Sequence, residues 1–566
     1  MSDDTIQPEA PVYGKHRHVF PRPWTLASGV PRSTRYERWK RQILADSYEY
    51  ELDRVNVLGD EMEGHTGCVN ALSWAEDGRF LLSGGDDTTV RLWRIDESNT
   101  TVPYPYRTTA IVQTGHTGNI FNAQMLPHSS RIATVAADKQ VRVFDVESAL
   151  SLERTGHGTD EALEISTTPI RILRCHTSRT KRLVTEESSD LFLTVAEDGT
   201  VRQHDLRVSH RCLSGCPAPL VKLGHSLSAL ALSPLTPYQF VVAGESPYGY
   251  LFDRRQSGRF IKEEWGVPPN DDELTTCVRR FGRRTRGPSE RKGCEHITGA
   301  RMPGSNGHEV LLSYSSDSVY LYSTRDDPEE FIRNRNSSKS LLPANAKAKV
   351  TSYGLSVNGS VDADADWATE GQDTLMADED EEADSDSRSG TSIDTREADK
   401  DTEPEEEEDD HTTPHSDVPV VYPRKRFVGA CNAETVKDVN FLGPNDEYVV
   451  SGSDDGNFFV WRKNTAELHG IYEGDGSVVN VIEGHPSLPV VAVSGIDTTV
   501  KLFSPVFEPS AFSRMNNAES IISRNQEATV RQIDLASLFH HYRLALRRSA
   551  PTEGGDEEEE PECTFQ

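Results

Sequence analysis

The chain has 566 residues, a net charge of −31 and 35% apolar residues, with a mean hydropathy of −0.59, too polar for a chain packed throughout. Residues 362–410 hold about −20 of that charge and 553–562 about −7, so the remainder is near neutral, and direct sequence-specific nucleic acid binding is not expected. No apolar run reaches signal-peptide or bilayer-spanning length, and the eight cysteines are sparse, so the expectation is a soluble protein of a reducing compartment, without membrane association.

In chain order, residues 1–47 form an N-terminal extension. Its segment "STRYERWKRQILADSYEYEL" (33–52) begins with a Ser/Thr cap and sets Tyr36, Trp39, Ile43 and Leu44 at helical spacing. Such a helix either packs on its own domain or offers aromatic anchors to a partner. Next, "YEYELDRVNVL" (48–58) has strand-like content.

Seven copies of one pattern then follow. The clearest is "GHTGCVNALSWAEDGRFLLSGGDDTTVRLWRI" (64–95), and the others run over 115–146, 175–207, 224–255, 295–323, 435–463 and 474–505. Each reads as three short strands, an alternating apolar run, an "LLSGG"-like run and a "VRLW"-like run, with an irregular fourth before the next Gly-His. The predicted fold class is therefore all-β, a seven-bladed propeller, with segment 48–58 as the outer strand that closes blade seven and 48–324 holding blades one to five. "RRFGRRTRGPSERKG" (279–293) reads as a basic insert between blades four and five. Residues 325–430 read as a disordered acidic insert between blades five and six, either a solvated loop or a binding segment for a basic partner such as histone. "PRKRF" (423–427) follows it. Either basic run could be a nuclear import signal or an anion-binding patch, or a loop neutralised by the acidic insert. The expected location is nucleus and cytoplasm. Residues 431–508 carry blades six and seven, and 509–566 a helical segment (521–548) and an acidic tail. Cys212 and Cys216 in "CLSGC" have the look of half a metal site, but no partner pair follows, so neither metal nor cofactor is expected.

The repeats resemble the WD-repeat family. That resemblance implies a buried chain of hydrogen bonds in each blade, from the Gly-His histidine through a second-strand Ser or Thr to the turn Asp and the third-strand Trp. The candidates are His65, Ser83, Asp87 and Trp93 in blade one, and His116, Thr134 and Asp138 in blade two, with Phe144 in the Trp slot. Blade three offers His176 and Asp198, and blade six Asp455 and Trp461. These are structural residues, and none is expected to be catalytic. Asp475 stands where blade seven needs its histidine and Ser246 where blade four needs its turn Asp, so both blades should be looser.

Repeats three and four end alike, in "TVRQHDLR" and "YGYLFDRR". Asp205 with Arg207 and Asp253 with Arg255 occupy equivalent positions, and rotation about the ring carries both arginines to one face. An Arg held by a nearby Asp is preset for a bidentate contact. The pair is similar to the adaptor-docking motif of the DDB1- and cullin-4-associated factors, WD-repeat substrate receptors of cullin-4–RING ubiquitin ligases, although both copies lack that motif's Trp. Repeats four and seven and the segment 521–548 also resemble one subgroup of those factors. The resemblance implies a non-enzymatic receptor that docks an adaptor protein through Asp205, Arg207, Asp253 and Arg255. An N-terminal helix bearing Tyr36, Trp39 and Ile43 would insert into the same adaptor. The alternative is a nuclear scaffold binding histones or transcription factors without a ligase.

Overall fold

The computed structural model describes residues 34–59, 64–154, 163–165, 168–208, 212, 215–256, 275–285, 295–328 and 414–529. Among them are seven β-sheets and three α-helices, Thr34–Ser47, Glu147–Arg154 and one at 518–529. This is the predicted seven-bladed propeller.

Blade one runs Val69–Ala75, Phe80–Gly85, Thr89–Ile95 and Tyr106–Gln113. Its second strand is buried along its whole length, because it lies between two strands of its own sheet and between neighbouring blades. A continuous apolar run suits that position better than alternation. The other blades repeat the plan, and every junction between neighbours holds its own apolar cluster, seven in all. At the blade three–four junction, Leu193 and Val201 meet Phe240, Tyr250 and Phe252. The core is thus a ring of shared interfaces, and a blade stabilises its neighbours as much as itself.

Closure is as predicted. Leu52–Leu58 pairs antiparallel with Val500–Pro505, from Leu52 opposite Pro505 to Leu58 opposite Val500. Asp53 is buried there and accepts Ser510 Oγ–H at 2.8 Å and Ala511 N–H at 3.1 Å, which fastens the segment after the last strand over the closing strand. The helix at 518–529 lays Ile521 and Ile522 against Phe427, Phe459 and Trp461.

Two sequence boundaries are corrected. Lys425–Phe427 is the fourth strand of blade five, paired with Val319–Leu321, so the acidic insert lies inside that blade and does not extend to 430. The "PRKRF" run is therefore sheet: Arg424 is bidentate to Asp326 and Arg426 pairs with Asp317. Thr276–Phe281 is the fourth strand of blade four, so the basic run begins in sheet. Arg280 donates to the Val418 and Ser416 carbonyls at 2.8 Å, and Arg283 pairs with Asp317 over the Tyr314 ring. Residues 286–294 and 329–413 lie outside the described set. Short parallel strands, Leu163–Ile165 on blade one and Val420–Val421 on blade four, add edges that the repeat pattern did not announce.

Candidate docking rim

In each blade the first strand runs toward one face, the second returns and the third runs back. Asp205 ends its third strand opposite Leu191, and Asp253 ends its own opposite Gln239, each at the start of a second strand. Arg207 and Arg255 therefore leave the ring on the face of the first-to-second-strand hairpins, on neighbouring blades, as the sequence reading required.

Their geometry is the same in both copies. Arg207 donates Nε–H to Asp205 Oδ1 at 2.9 Å and Nη2–H to Oδ2 at 2.8 Å. Arg255 does so to Asp253 at 3.0 and 2.7 Å. In both, the Arg backbone N–H also donates to Oδ1 of the same Asp. The two Arg side chains stay 63% and 60% exposed while Asp253 is 2% exposed. The Arg255 guanidinium also lies 3.7 Å above the Tyr238 ring centre, and Gln239 Nε2–H donates to Asp253 at 3.1 Å. Hydrogen bonds from the arginines hold both carboxyls below their usual range. A solvent-facing ion pair adds little to stability. What each Asp supplies is direction: it fixes the plane of a guanidinium that still has free donors facing solvent. The intervening Arg254 turns inward, donating to Glu186 Oε1 at 3.0 Å and the Pro237 carbonyl at 2.6 Å, which ties blade four to the blade-three hairpin.

The N-terminal helix, α1 (Thr34–Ser47), lies on this face. Leu44 and Tyr48 are buried against Leu442 and Tyr448, Arg41 donates to the Pro444 carbonyl at 2.9 Å, and Glu49 is bidentate to Arg462. The four residues predicted to share a face separate: Leu44 is buried, Ile43 half-buried and Trp39 53% exposed. The side chain of Tyr36 lies outside the described residues. Packing on its own propeller and exposure toward a partner are both realised, by different residues of one helix. Beside it the channel opens into a cavity of about 810 Å³ lined by Arg41, Arg182, Arg301, Asp438 and Glu483 among others. Its charges are paired across blades: Arg182 with Asp438, and Arg301 with Glu483 at 3.0 Å.

The structural residues sort by blade. In blade one, His65 Nδ1–H donates to Asp87 at 3.0 Å, and Trp93 Nε1–H to Ser83 Oγ at 2.8 Å. Since Ser83 Oγ also lies 2.8 Å from His65 Nε2, its hydroxyl proton goes to the ring. Burial alone would raise Asp87, but the His65 contact and the hydrogen bonds from Thr89 together outweigh it and hold the carboxyl at about 2. Blade two repeats this with His116, Asp138 and Thr134. In blade three His204 occupies the Trp slot, its Nε2 2.8 Å from Thr194 Oγ1, which lies 2.8 Å from His176 Nε2, with Asp198 on Nδ1. Thr194 and His204 extend the chain beyond His176 and Asp198, the two candidates named for this blade.

Blade six departs from expectation. Asp455 accepts the Asn457 N–H at 3.2 Å, and Trp461 Nε1–H donates to the Val428 carbonyl at 3.1 Å, so these two do not share a chain. The reason is local: Asn432 fills the histidine position and donates to Thr298 and Ser313 of blade five, while Lys437 takes Asp454. In blade four, Ser246 Oγ meets Tyr250 Oη at 2.9 Å, His225 Nε2 is buried without a hydrogen-bond partner among the described residues, and burial pushes that ring down to about 4. In blade seven, Asp475 and Asp497 share Lys501, at 3.4 and 2.8 Å.

Residues 57–94, 108–145 and 423–462 match the family model described as WD domain, G-beta repeat. Among curated proteins, the chain is 33% identical over 314 residues to WD repeat protein iqw1 of Schizosaccharomyces pombe, covering 53% of this chain and 37% of that protein. It is 24% identical to human WD and tetratricopeptide repeats protein 1, covering 90% of this chain and 94% of that protein. With human DDB1- and CUL4-associated factor 6 it shares 28% identity over 46% of this chain and 27% of that protein. The chain thus spans little more than a third of the length of the first of these relatives. The chain carries WD40 repeats in its seven-bladed propeller and is distantly similar to all three.

Proposed function

We propose that this WD40 propeller is a non-catalytic substrate receptor of a cullin-4–RING ubiquitin ligase. It would dock the ligase's adaptor through Arg207 and Arg255 and present a protein substrate to the catalytic subunits. The observation that carries the reading is the duplication: two guanidinium groups on adjacent blades, each oriented by its own carboxylate, each more than half exposed, on the face that also bears α1. A single oriented Arg serves many purposes, whereas two at the rotational step of the propeller suit a partner that grips two blades together. The distant similarity to a protein named for association with DDB1 and CUL4 supports the same reading. Such a receptor contributes to ubiquitin transfer by raising the effective concentration of substrate at the ligase.

The test is capture of purified adaptor by the full chain carrying Arg207→Ala and Arg255→Ala. Loss of a charge-assisted contact in an interface core costs about 2–5 kcal/mol, so capture should fall at least tenfold while the melting temperature stays within about 1 °C. Wild-type capture by the folded double variant would overturn the docking assignment. It would leave the propeller as a scaffold, with its acidic insert the remaining candidate for a basic partner.

A further inference from the structure

We propose that Cys175, Cys212 and Cys216 form a zinc site that staples blade two to the loop following Arg207. Cys175 comes just after the outer strand of blade two, Arg171–Leu173, and just before the blade-three histidine. Cys212 and Cys216 lie between the third and fourth strands of blade three, Thr200–Asp205 and Val221–Lys222. Folding therefore supplies the third ligand that the "CLSGC" half-site lacked in sequence. All three sulfurs lie within 4.8 Å of one another, and Cys175 Sγ is 3.9 Å from Cys212 Sγ. A tetrahedral zinc with Zn–S bonds of about 2.3 Å holds its sulfurs about 3.8 Å apart, whereas a disulfide needs about 2.05 Å. The spacing is that of co-ligands.

A second feature points the same way. The Arg174 backbone N–H donates to Cys212 Sγ at 3.3 Å, the kind of outer-shell contact that orients a metal-bound thiolate. Cys175 belongs to the apolar cluster of Leu126, Leu173, Leu183 and Phe192, with Cys212 and Cys216 packed against it, and Arg202 donates to the Pro217 carbonyl next to Cys216 at 2.8 Å. The described residues supply three ligands, and one further donor completes the usual four. Cysteines in an apolar cluster also serve as small hydrophobic fillers, and the test must separate that role.

The test is metal content of the full chain, purified without chelator and desalted, measured by inductively coupled plasma mass spectrometry. About one zinc per chain is expected in the wild type and in Cys563→Ser, and at least fivefold less in Cys212→Ser with Cys216→Ser. Replacement by cobalt(II) alone should give the intense visible absorption of a tetrahedral thiolate site, a readout that does not depend on the variants folding. Zinc at background in the folded wild type, zinc unchanged in the double variant, or a Cys175–Cys212 disulfide in a non-reduced digest would each overturn the site. None of these readouts involves the adaptor, so this inference stands or falls apart from the receptor reading.

Discussion

Ser83 illustrates how a single hydroxyl organises a blade. It receives the Trp93 indole and supplies the proton that leaves His65 Nδ1–H for Asp87. Ser83→Ala orphans two buried partners at once, and each such loss costs about 1–3 kcal/mol. Equilibrium urea unfolding should show a drop of about 2 kcal/mol or more, with no change in adaptor capture. Blade seven offers the opposite experiment. Burial, with Asp497 beside it, pushes Asp475 up to about 7, so the folded state holds a proton there that the unfolded chain releases near pH 4. The native state binds more protons across that window, and stability falls as pH rises from about 4 to 7. Asp475→Asn removes the penalty. Its melting temperature should exceed wild type by about 2 °C or more at pH 8 and match it near pH 4. A variant less stable than wild type at pH 8 would mean that the Lys501 contact outweighs the repulsion.

At the scale of elements, α1 divides its labour between neighbouring residues. Leu44→Ala opens a cavity against Leu442 and Tyr448 and should cost about 2–4 kcal/mol. Trp39→Ala, at a side chain more than half exposed, should leave the melting temperature within about 1 °C and weaken adaptor capture by calorimetry. The helix was legible in the Ser/Thr cap and the 3.6-residue spacing, but its facing was not, because which apolar residues are covered depends on a hairpin 400 residues away. Strand order and ring closure were readable because each blade states its pattern locally. The error over the acidic insert has a definite cause. The sequence reading ends the fifth unit with its third strand at 323, whereas its irregular fourth strand, Lys425–Phe427, comes only after the insert, so an insert placed between two units falls inside one sheet. The Asp-x-Arg rim was readable because rotational symmetry fixes its face. The cysteine trio was not, since Cys175 lies 37 residues before Cys212 and only the packing of blade two on blade three brings them together.

For the molecule as a whole, the question is whether a ring survives interruption inside a blade. Strand Val319–Ser323 pairs with Lys425–Phe427 across the segment 329–413, so closing blade five includes closing a long loop. Loop entropy grows only as the logarithm of length, at about 0.6 kcal/mol per doubling. Exchanging 329–413 for a Gly/Ser linker about one eighth as long removes three doublings, an upper bound of about 2 kcal/mol in favour of folding. The strands themselves are held without the insert, by the Arg424–Asp326 and Arg426–Asp317 pairs and by Phe427 in the junction core. The shortened chain should therefore melt a few degrees above wild type and keep its adaptor capture, since the rim at blades three and four lies elsewhere on the ring. It should lose any affinity for histone that the full chain has, because about −17 of the net charge goes with the segment. A melting temperature several degrees lower would instead assign the insert a packing role on the propeller, and lost capture would extend the docking surface to blade five.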